Sequence, residues 1–442
     1  MIELDPVVLT ILMFAGLIIG LLMGHPLAFV LGGLAVIFGY ISWGPTAFLL
    51  FGNRIIGLLD NFILIAVPMF ILMANLLMKS GVADKLFDSL RYLMGPLRGG
   101  IALAVVVVST IFAACTGVVG ASVVSMGLLA FPLMNKYGYD KRLSCGTICA
   151  GGTLGILIPP SIMLIVMADN SGLSVGRLFI GSIVPGLILS ILYIIYILVL
   201  CFFRPELGPP LALEERQKVP VSARLKMACI SFLPPLFLIG GVLGSIFTGI
   251  ATPTEASGVG AFLALMLTLI YGRFSISMLK EVTFSTAKTV SMVMLILVGA
   301  TCFTGVFMGI GGGKVLSEFI LGLGFGKWGT FWAMLCIIIV LGAFIDWIGI
   351  VYITFPIFLP IAIGLGFDPI WFVVVVAVCL QTSFLSPPFG YALFYMKGIA
   401  GTELTTVDIY RSIVPFLILI IICIAILMVF PQLITVPAGI IR

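Results

Sequence analysis

The sequence predicts an all-α polytopic membrane protein with inverted repeats, and three observations carry that prediction. Hydrophobic residues make up 62% of the 442 residues and charged residues only 9%, whereas soluble domains carry about 25% charged residues. Two apolar stretches are too long for one crossing and have glycines near their centres. Two further apolar segments, one in each half of the chain, contain adjacent prolines at matching positions of an internal repeat. We therefore expect about ten spanning helices, two re-entrant helical hairpins and two broken helices.

The spans follow from length, since a helix needs about 20 apolar residues to cross a bilayer. Continuous spans are predicted at roughly 6–23, 26–43, 60–78, 177–203, 224–246, 253–271, 288–310 and 411–430. The broken helices are predicted at 142–170 and 368–396, around Pro159-Pro160 and Pro387-Pro388. The hairpins are predicted at 101–134 and 329–364, each entering and leaving by one face. Segments 79–98 and 312–327 mix charged and apolar residues and are predicted to be interfacial helices.

The basic residues orient these segments, because Lys and Arg concentrate on the cytoplasmic side of membrane proteins. With both termini in the periplasm, 17 of the 22 Lys and Arg residues fall on the cytoplasmic side. The five on the outside are Arg54, Arg177, Lys314, Lys327 and Arg442. Counting either hairpin as a full crossing would move several basic loops to the wrong side. The net charge of +5 is spread over short loops and does not indicate nucleic-acid binding.

The second half of the chain resembles the first at a constant offset. Asp140 aligns with Asp368, and Pro159-Pro160 aligns with Pro387-Pro388. Five predicted spans precede the join, so the second copy starts on the opposite side of the membrane and the copies are inverted. The basic segment 204–226 is the one sizeable polar stretch and marks the join. Inverted repeats with matching interrupted helices are typical of secondary transporters with a site near the bilayer midplane.

Broken helices have a physical use at such a site. A break frees backbone carbonyls and amides that lipid cannot satisfy, so it must lie in protein or beside a wet cavity. Freed carbonyls can coordinate a cation, and the N-terminus of a half-helix favours an anion. The alternative is that each proline pair merely kinks its helix. Two pairs at equivalent repeat positions favour the functional interpretation.

The hairpin tips supply the facing half of each predicted site. The first tip, Thr116–Ser122, combines glycines with hydroxyls that could complete the shell of an ion; the alternative is small-residue packing against a neighbouring helix. The second tip, Ile345–Ile350, contains Asp346, the one acid predicted at membrane depth. Its alternative role is helix capping. Opposite the tips lie Gly151–Gly155 and Gln381–Ser383.

Two other motifs have simpler explanations. Thr252-Pro253-Thr254-Glu255 fits a capping box at the start of a helix, with proline at its first position. Gly311-Gly312-Gly313-Lys314 resembles a phosphate-binding loop, but Val315 stands where that motif requires Ser or Thr. ATP binding is therefore not expected. The nine cysteines lie in apolar segments without metal-ligand spacing, so neither a zinc site nor a disulfide framework is expected.

Several longer motifs together resemble one known family. They are "VPMFILMANLLMKSGVADKLF" (67–87), "GPLRGGIA" (95–102), "GYDKRLSCGTICAGGTLGILIPPSIMLI" (138–165), "GIATPTEASG" (249–258) and "LSPPFGYALFYMKGIA" (385–400). The chain resembles the large membrane subunit of tripartite ATP-independent periplasmic (TRAP) transporters, the DctM-like family, over nearly its whole length. The resemblance implies an ion-transporter fold of the elevator type in the bacterial inner membrane. It also implies sodium-driven uptake of organic acids, with a small four-helix membrane subunit and a periplasmic substrate-binding protein as partners.

The resemblance further implies a division of labour along the chain. Scaffold helices and interfacial arms would occupy 1–97 and 224–327, and the two halves of a transport domain 98–203 and 328–442, with a cytoplasmic linker at 204–223. The implied sodium-binding residues are Thr116, Gly117, Gly120, Ser122, Thr153, Gly155, Asp346, Gly349, Thr382, Ser383 and Ser386. The implied substrate-binding residues are Ser122, Pro159, Pro160, Ser161, Pro387 and Pro388. Many family members have Ser-Gly-Ser at the first tip, where this chain has Gly120-Ala121-Ser122.

The predicted function is therefore sodium-coupled uptake without an organic cofactor and without enzymatic activity. An alternative is a stand-alone ion-coupled anion symporter or exchanger of the same superfold. An intramembrane aspartyl protease would need a second midplane acid beside Asp346, and none is predicted there. A passive channel would show neither saturation nor ion coupling. Sodium is the one expected metal ion.

Overall fold

The computed structural model describes residues 5–212, 214–215, 219–388 and 390–440, without the side chains of residues 113 and 116. Arg216, Lys218 and Arg442, which the charge count used, lie outside the described residues, as does the Thr116 side chain.

The described residues form helices joined by short loops. Short 3-10 turns lie at Gly44–Thr46, Phe62–Ile65, Leu154–Ile156 and Pro205–Leu207. The α-helices, in chain order, are α1 (Pro6–Leu22), α2 (Leu27–Trp43), α3 (Ala47–Leu59), α4 (Ala66–Ser80), α5 (Val82–Met94), α6 (Gly100–Thr116), α7 (Val119–Lys136), α8 (Lys141–Thr153), α9 (Ile162–Ser171), α10 (Val175–Phe203), α11 (Val221–Phe247), α12 (Pro253–Ile270), α13 (Ile276–Gly309), α14 (Gly312–Gly322), α15 (Gly326–Gly342), α16 (Trp347–Gly364), α17 (Pro369–Leu385), α18 (Tyr391–Ala400), α19 (Thr406–Val429) and α20 (Gln432–Ala438).

The helices confirm a polytopic membrane protein. In the described part of the chain, nine helical segments are long and apolar enough to cross a membrane. Further apolar helices, including α1, α9 and α17, are shorter than a full crossing. Both predicted hairpins are present, as α6–α7 and α15–α16, and both predicted broken helices are present, as α8–α9 and α17–α18. Single crossings, two hairpins and two interrupted helices therefore make up the fold, as the sequence predicts.

The two halves repeat one element order with little drift. The helices α7 and α16 have the same length and begin and end at residues that align in the sequence repeat. The helices that follow the hairpins begin in the same way, because the Asp140 carboxylate accepts the Leu143 N–H and the Asp368 carboxylate accepts the Trp371 N–H, each at 2.8 Å. An N-cap bond of this kind stabilises a helix by about 1 kcal/mol.

The capping box predicted at Thr252 is also present. The Glu255 carboxylate accepts the Thr252 N–H at 2.8 Å, and the Thr252 hydroxyl accepts the Glu255 N–H at 3.3 Å. The motif therefore starts α12, which is the structural role that the sequence predicts for it.

One element differs from the sequence prediction. The predicted spans omit residues 44–59, yet these residues contain α3. In the second repeat, the counterpart of α3 and α4 is the single 34-residue helix α13, which begins twelve residues before the predicted span at 288. The first copy is interrupted after Asp60, where Asn61 caps a new turn by accepting the Ile63 N–H at 3.0 Å. Polar residues and glycines lower the mean hydropathy of residues 44–59, so the sequence does not predict this segment as a span. None of these residues prevents a helix.

The pair Pro234-Pro235 shows that adjacent prolines alone do not end a membrane helix. Pro234-Pro235 lies inside α11, which continues from Val221 to Phe247. At Pro159-Pro160 and Pro387-Pro388, by contrast, one helix ends before the pair and another begins after it. The difference must come from the surrounding structure, since the missing N–H groups are the same.

The helices pack in two groups. Helices α1–α5 pack with α11–α14, and helices α6–α10 pack with α15–α20. The groups meet where α4 and α5 contact α6 and where α13 contacts α16. Within the second group, α7 packs on α18 and α9 packs on α16, so each hairpin contacts the broken helix of the other repeat as well as its own.

Close helix packing gives a first prediction, at Gly146 of α8. A Cβ at this position would clash with the Ser412 carbonyl oxygen and would lie 2.7 Å from Phe416 Cε2 of α19. We expect Gly146→Ala to destabilise the purified protein by about 1–3 kcal/mol in thermal unfolding, because the backbone oxygen cannot move aside freely. The control is Gly258→Ala in α12, where nothing lies within 4 Å of a Cβ. Equal melting temperatures for both variants would contradict this packing.

Candidate functional site

The first break, residues 157–161, is enclosed by protein. Pro159, Pro160 and Ser161 are all buried. The Ser161 hydroxyl donates to the Ile156 carbonyl and accepts the Leu164 N–H at 3.3 Å. One hydroxyl thus bridges the two half-helices across the prolines. Because lipid offers no hydrogen bonds, such bridging and burial are what a broken helix needs at this depth.

The second break contains Ser386, Pro387, Pro388 and Gly390 among the described residues, and it is more exposed than the first break. Pro387 and Pro388 are exposed and Ser386 is half-buried. The helix ends with the Ser386 N–H donating to the Thr382 carbonyl at 2.7 Å. The following helix α18 starts with Tyr391, which is 42% exposed. The described part of the chain therefore leaves Pro387 and Pro388 uncovered, whereas it covers Pro159 and Pro160.

The first hairpin tip rests directly on the first break. Gly117 adopts a left-handed conformation with φ of +61°. A Cβ on Gly117 would lie 3.1 Å from the Pro160 carbonyl oxygen. Only glycine combines this backbone turn with this close approach. The structure therefore brings the first tip and the first proline pair together, as the sequence predicts.

The next residues of the first tip face the second repeat. A Cβ on Gly120 would lie 2.9 Å from the Tyr395 ring of α18. Ser122 is fully buried, and its hydroxyl donates to the Val118 carbonyl at 3.2 Å. The first tip is thus shared between its own broken helix and α18, which places Ser122 close to both repeats.

The second hairpin packs beside the second broken helix just before its tip, where residues 343–346 join α15 to α16. A Cβ on Gly342 would clash with the Ser383 hydroxyl oxygen, so hairpin and broken helix are nearly in backbone contact. Asp346 holds the N-cap position of α16, but its side chain makes no capping hydrogen bond. Its carboxylate instead lies within hydrogen-bonding reach of the backbone N–H of Trp347, the first residue of that helix. The capping interpretation is therefore supported in part, because the carboxylate faces a first-turn N–H but does not make the usual N-cap hydrogen bond.

Gly349 packs against the first helix group, unlike the other predicted site residues. A Cβ on Gly349 would contact Ile345 at 2.8 Å and Leu27 of α2 at 3.2 Å. It thus faces the first helix group and not the second break. Gly155, by contrast, lies buried in the 3-10 turn immediately before the first break.

The hydroxyl oxygens of Thr153 and Thr382 have lone pairs available for a cation or a hydrogen-bond donor. Thr153 donates to the Ala150 carbonyl at 2.9 Å, and Thr382 donates to the Cys379 carbonyl at 2.7 Å. A hydroxyl has one donor and two acceptor positions. Once its proton is committed to a carbonyl, it offers only lone pairs, which is the state that a cation ligand requires.

The second break collects buried polar atoms without partners. In the described part of the chain, neither amide atom of Gln381 forms a hydrogen bond, and the same holds for the hydroxyls of Ser383 and Ser386. Gln381 is fully buried. Leaving such a group unpaired costs about 1–3 kcal/mol. A cluster of unpaired groups beside an open break therefore points to a ligand that would satisfy them.

Sequence reasoning noted Gln381 but did not include it among the ligands, and it missed Ser109 altogether. Ser109 is buried on α6, and its hydroxyl would lie 2.9 Å from a Cβ on Gly151 of α8. Its hydroxyl is also unpaired among the described residues. The available signal was a lone serine in the valine-rich run that precedes the first tip.

A separate polar cluster ties the two helix groups together. Asn61, between α3 and α4, donates to the Asp169 carboxylate at the end of α9, and the Tyr352 hydroxyl donates to the same carboxylate at 3.4 Å. A cavity of about 440 Å³ beside them is also lined by Arg54 and Thr301. Sequence reasoning missed this cluster because its members are far apart in the chain.

The sites are built from hydroxyls, amides and backbone groups. Among the described residues, no group of three or more His, Cys, Asp or Glu side chains is placed to hold a metal ion. The predicted sodium ligands are instead oxygen atoms at the tips and breaks, and hard monovalent cations are bound by such oxygens.

The chain is similar to known transport proteins over most of its length. Residues 11–433 match the family described as "Tripartite ATP-independent periplasmic transporter, DctM component". The C4-dicarboxylate TRAP transporter large permease protein DctM of Pseudomonas aeruginosa is 31% identical over 84% of this chain and 85% of that protein. The sialic acid TRAP transporter large permease protein SiaM of Vibrio cholerae is 29% identical over 92% of this chain and 93% of that protein.

The fold also has a solved counterpart. The YdaH transporter of Alcanivorax borkumensis, whose crystal structure has an unusual topology, aligns with a TM-score of 0.62 over 95% of this chain and 97% of its own. Sequence identity is 14%, so this likeness supports the fold alone. The named TRAP relatives are permeases and not enzymes. This chain belongs to the DctM family, the large permease components of tripartite ATP-independent periplasmic transporters.

Proposed function

We propose that this permease couples inward sodium movement to the uptake of a small organic acid across the bacterial inner membrane by an elevator mechanism. The observation that carries the proposal is the unpaired polar cluster of Gln381, Ser383 and Ser386 beside the open second break. These three side chains lie within six residues of one another, so a single ligand at the break would satisfy several unpaired atoms at once.

Sodium would bind where a tip meets a break. Around the first tip, the candidates are the Ser122 and Thr153 hydroxyls with carbonyls of the first break. Around the second tip, they are Asp346, the Thr382 hydroxyl and the unpaired serine hydroxyls. Asp346 would supply the one formal negative charge, which offsets part of the cost of dehydrating the ion.

The substrate would bind between the two sodium sites. The half-helices α9 and α18 both begin at a break, so their N–H groups and positive dipole ends favour a carboxylate there. The named relatives transport C4-dicarboxylates and sialic acid. We therefore propose a small organic acid as the substrate of this chain.

The two helix groups would be the two parts of the elevator. Residues 1–97 and 224–327 would form the scaffold, and residues 98–203 and 328–442 would form the moving transport domain. The ties between the groups include the Asn61–Asp169 bond and the Thr304 hydroxyl donating to the Tyr352 carbonyl at 2.9 Å. An interface held by few polar bonds can break and re-form them as the groups slide, more easily than an interface of interlocked side chains could rearrange.

The orientation and partners follow from the charge pattern and the family. The side that carries linker residues 204–223 would face the cytoplasm, and both termini would lie in the periplasm. The family description names a tripartite transporter. We propose that a small membrane subunit and a periplasmic substrate-binding protein complete the assembly.

The energetics suit this coupling. One charge that crosses 100 mV provides about 2.3 kcal/mol, and a tenfold sodium gradient provides about 1.4 kcal/mol more. A tenfold accumulation of substrate requires the same free energy as a tenfold gradient of sodium. Because the organic acid is an anion, the potential acts only on the net charge that sodium and substrate carry together. Uptake of one net charge with one sodium gradient gains about 3.7 kcal/mol, enough for a several-hundredfold accumulation of substrate, and further sodium ions that balance the substrate charge add to this.

The first test needs no knowledge of the substrate. The melting temperature of the purified chain should rise in sodium chloride but not in potassium or choline chloride at equal ionic strength. A ligand that binds only the folded state stabilises it by about 2.7 kcal/mol at one hundred times its dissociation constant. We expect Asp346→Asn and Ser122→Ala to reduce the sodium-selective rise.

The matched control is Asp60→Asn. Asp60 is an exposed acid at the end of α3, away from both breaks, and this variant should keep the full sodium effect. The absence of any sodium-selective rise in the unaltered chain would contradict built-in sodium sites. A normal rise in Asp346→Asn would remove that residue from the ligands.

The proline pair at the second break gives a further prediction. Replacing Pro387-Pro388 by Ala-Ala should abolish uptake by the complete transporter in membrane vesicles, because alanines let α17 continue and remove the freed backbone groups. The control replaces Pro234-Pro235 by Ala-Ala inside the continuous helix α11, where uptake should persist. Membrane insertion is compared by immunoblot. Normal uptake by the Pro387-Pro388 variant would refute the proposed role of the break.

A further inference from the structure

Three arginines line one cavity at the end of the second helix group. Arg142 comes from the start of α8, Arg204 from the end of α10 and Arg411 from the start of α19. The cavity measures about 250 Å³ and is closed at its base by Leu207, Ser412 and Phe416. We call it the arginine cavity. It lies on the same side of the bundle as the linker, since the Asp140 N–H donates to the Leu207 carbonyl at 2.9 Å.

The positive charge of the arginine cavity is only partly balanced. Arg142 forms an ion pair with Asp408 at 2.8 Å. The Asp140 carboxylate also lines the cavity, but it accepts the Leu143 N–H as the cap of α8. Within the part of the chain that the structure describes, neither Arg204 nor Arg411 has an acidic partner within salt-bridge distance, and both are exposed. Two guanidinium groups therefore retain their donors for an anion.

An apolar groove opens from the arginine cavity along α10. It measures about 350 Å³, and its lining includes Ile195 and Val199, with exposed fractions of 49% and 50%. Tyr196, Leu200 and Arg204 line both the groove and the cavity. From Leu192 to Arg204 the groove follows twelve residues of helix, or about 18 Å at 1.5 Å per residue. That length matches a fatty acyl chain that extends from the interface into the bilayer.

The opposite side of the bundle shows what normally fills such a cleft. By the repeat, the counterpart of the arginine cavity lies among the starts of α17 and α10 and the end of α19. There the chain's own helix α20 fills the space, because a Cβ on Gly181 would lie 3.5 Å from both Ile434 and Ala438. The Arg177 side chain donates to the Ala438 carbonyl at 3.2 Å. The chain thus closes one of two related clefts and leaves the arginine-lined one open.

We propose that the arginine cavity and the apolar groove bind one anionic phospholipid, with the phosphate at Arg204 and Arg411 and an acyl chain along α10. Guanidinium groups pair with phosphate oxygens in a bidentate manner, and basic pockets between membrane helices bind anionic lipid headgroups. The groove supplies the apolar contact that a free phosphate would not use. The lipid fills the arginine cavity and its groove, as α20 fills the related cleft on the opposite side of the bundle.

The test measures lipid binding to the full chain, delipidated in a neutral detergent, by native mass spectrometry and thermal shift. Phosphatidylglycerol should bind and raise the melting temperature, whereas phosphatidylcholine should bind much more weakly. The double variant Arg204→Gln/Arg411→Gln should weaken phosphatidylglycerol binding about thirtyfold, at about 1 kcal/mol for each basic residue. Val199→Trp, which fills the groove without changing charge, should weaken it as well.

The charge-matched control is Lys280→Gln/Lys288→Gln, which removes two exposed cations of α13 that line neither feature. This control should bind phosphatidylglycerol as the unaltered chain does. Equal loss of phosphatidylglycerol binding in both double variants would show that overall positive charge, and not the arginine cavity, attracts the lipid. Glycerol 3-phosphate at the same concentration should produce no shift. A shift with that soluble probe, or equal binding of both lipids, would overturn the proposal, and so would full binding by Arg204→Gln/Arg411→Gln. Displacement of the lipid by a co-purified membrane subunit would assign the groove to a protein partner instead.

Discussion

The structure depends on one constraint: each backbone N–H and C=O at membrane depth must find a partner that is not lipid. Two helices of this chain break at that depth, and each break is enclosed or lined by protein. The first hairpin tip covers the first break through Gly117, which has no room for a side chain. The second hairpin approaches the second broken helix as closely at Gly342 and Ser383. Hairpins and broken helices are therefore one structural unit, and neither would be stable in lipid without the other.

The two copies of that unit have diverged in a way that suits two tasks. The first break is buried, and its Ser161 hydroxyl connects the two half-helices. The second break is exposed, and Gln381, Ser383 and Ser386 keep unpaired atoms beside it. A closed break with satisfied groups can hold a small ion through carbonyls and hydroxyls alone. An open break with unsatisfied groups can also admit a larger, polar molecule, so the asymmetry itself favours a site shared by ion and substrate.

Local patterns in the sequence predicted most of this fold, and the failures have a common cause. Hydropathy and glycines located both hairpins, and the aligned aspartates and proline pairs located the repeat. Hydropathy did not predict α3 because Asn53 and Arg54, which line a cavity, lower the mean hydropathy of that segment. The prolines at 234–235 look like those at the breaks, yet α11 continues through them. Whether a helix breaks, and whether Gln381 is paired, depends on residues far away in the chain, which a single sequence does not place.

The beginning of the linker between the repeats is fixed to the first half of the chain. Three backbone hydrogen bonds fasten it to the first half: the Gly99 N–H to the Gly208 carbonyl, the Leu211 N–H to the Gly95 carbonyl and the Asp140 N–H to the Leu207 carbonyl, all between 2.8 and 2.9 Å. A Cβ on Gly208 would lie 3.0 Å from the Gly99 Cα, so the linker backbone is in direct contact with the backbone of the α5–α6 junction. The first part of the linker therefore moves with the α5–α6 junction. If the two helix groups slide past each other, as proposed above, residues 207–211 would move with the first half of the chain.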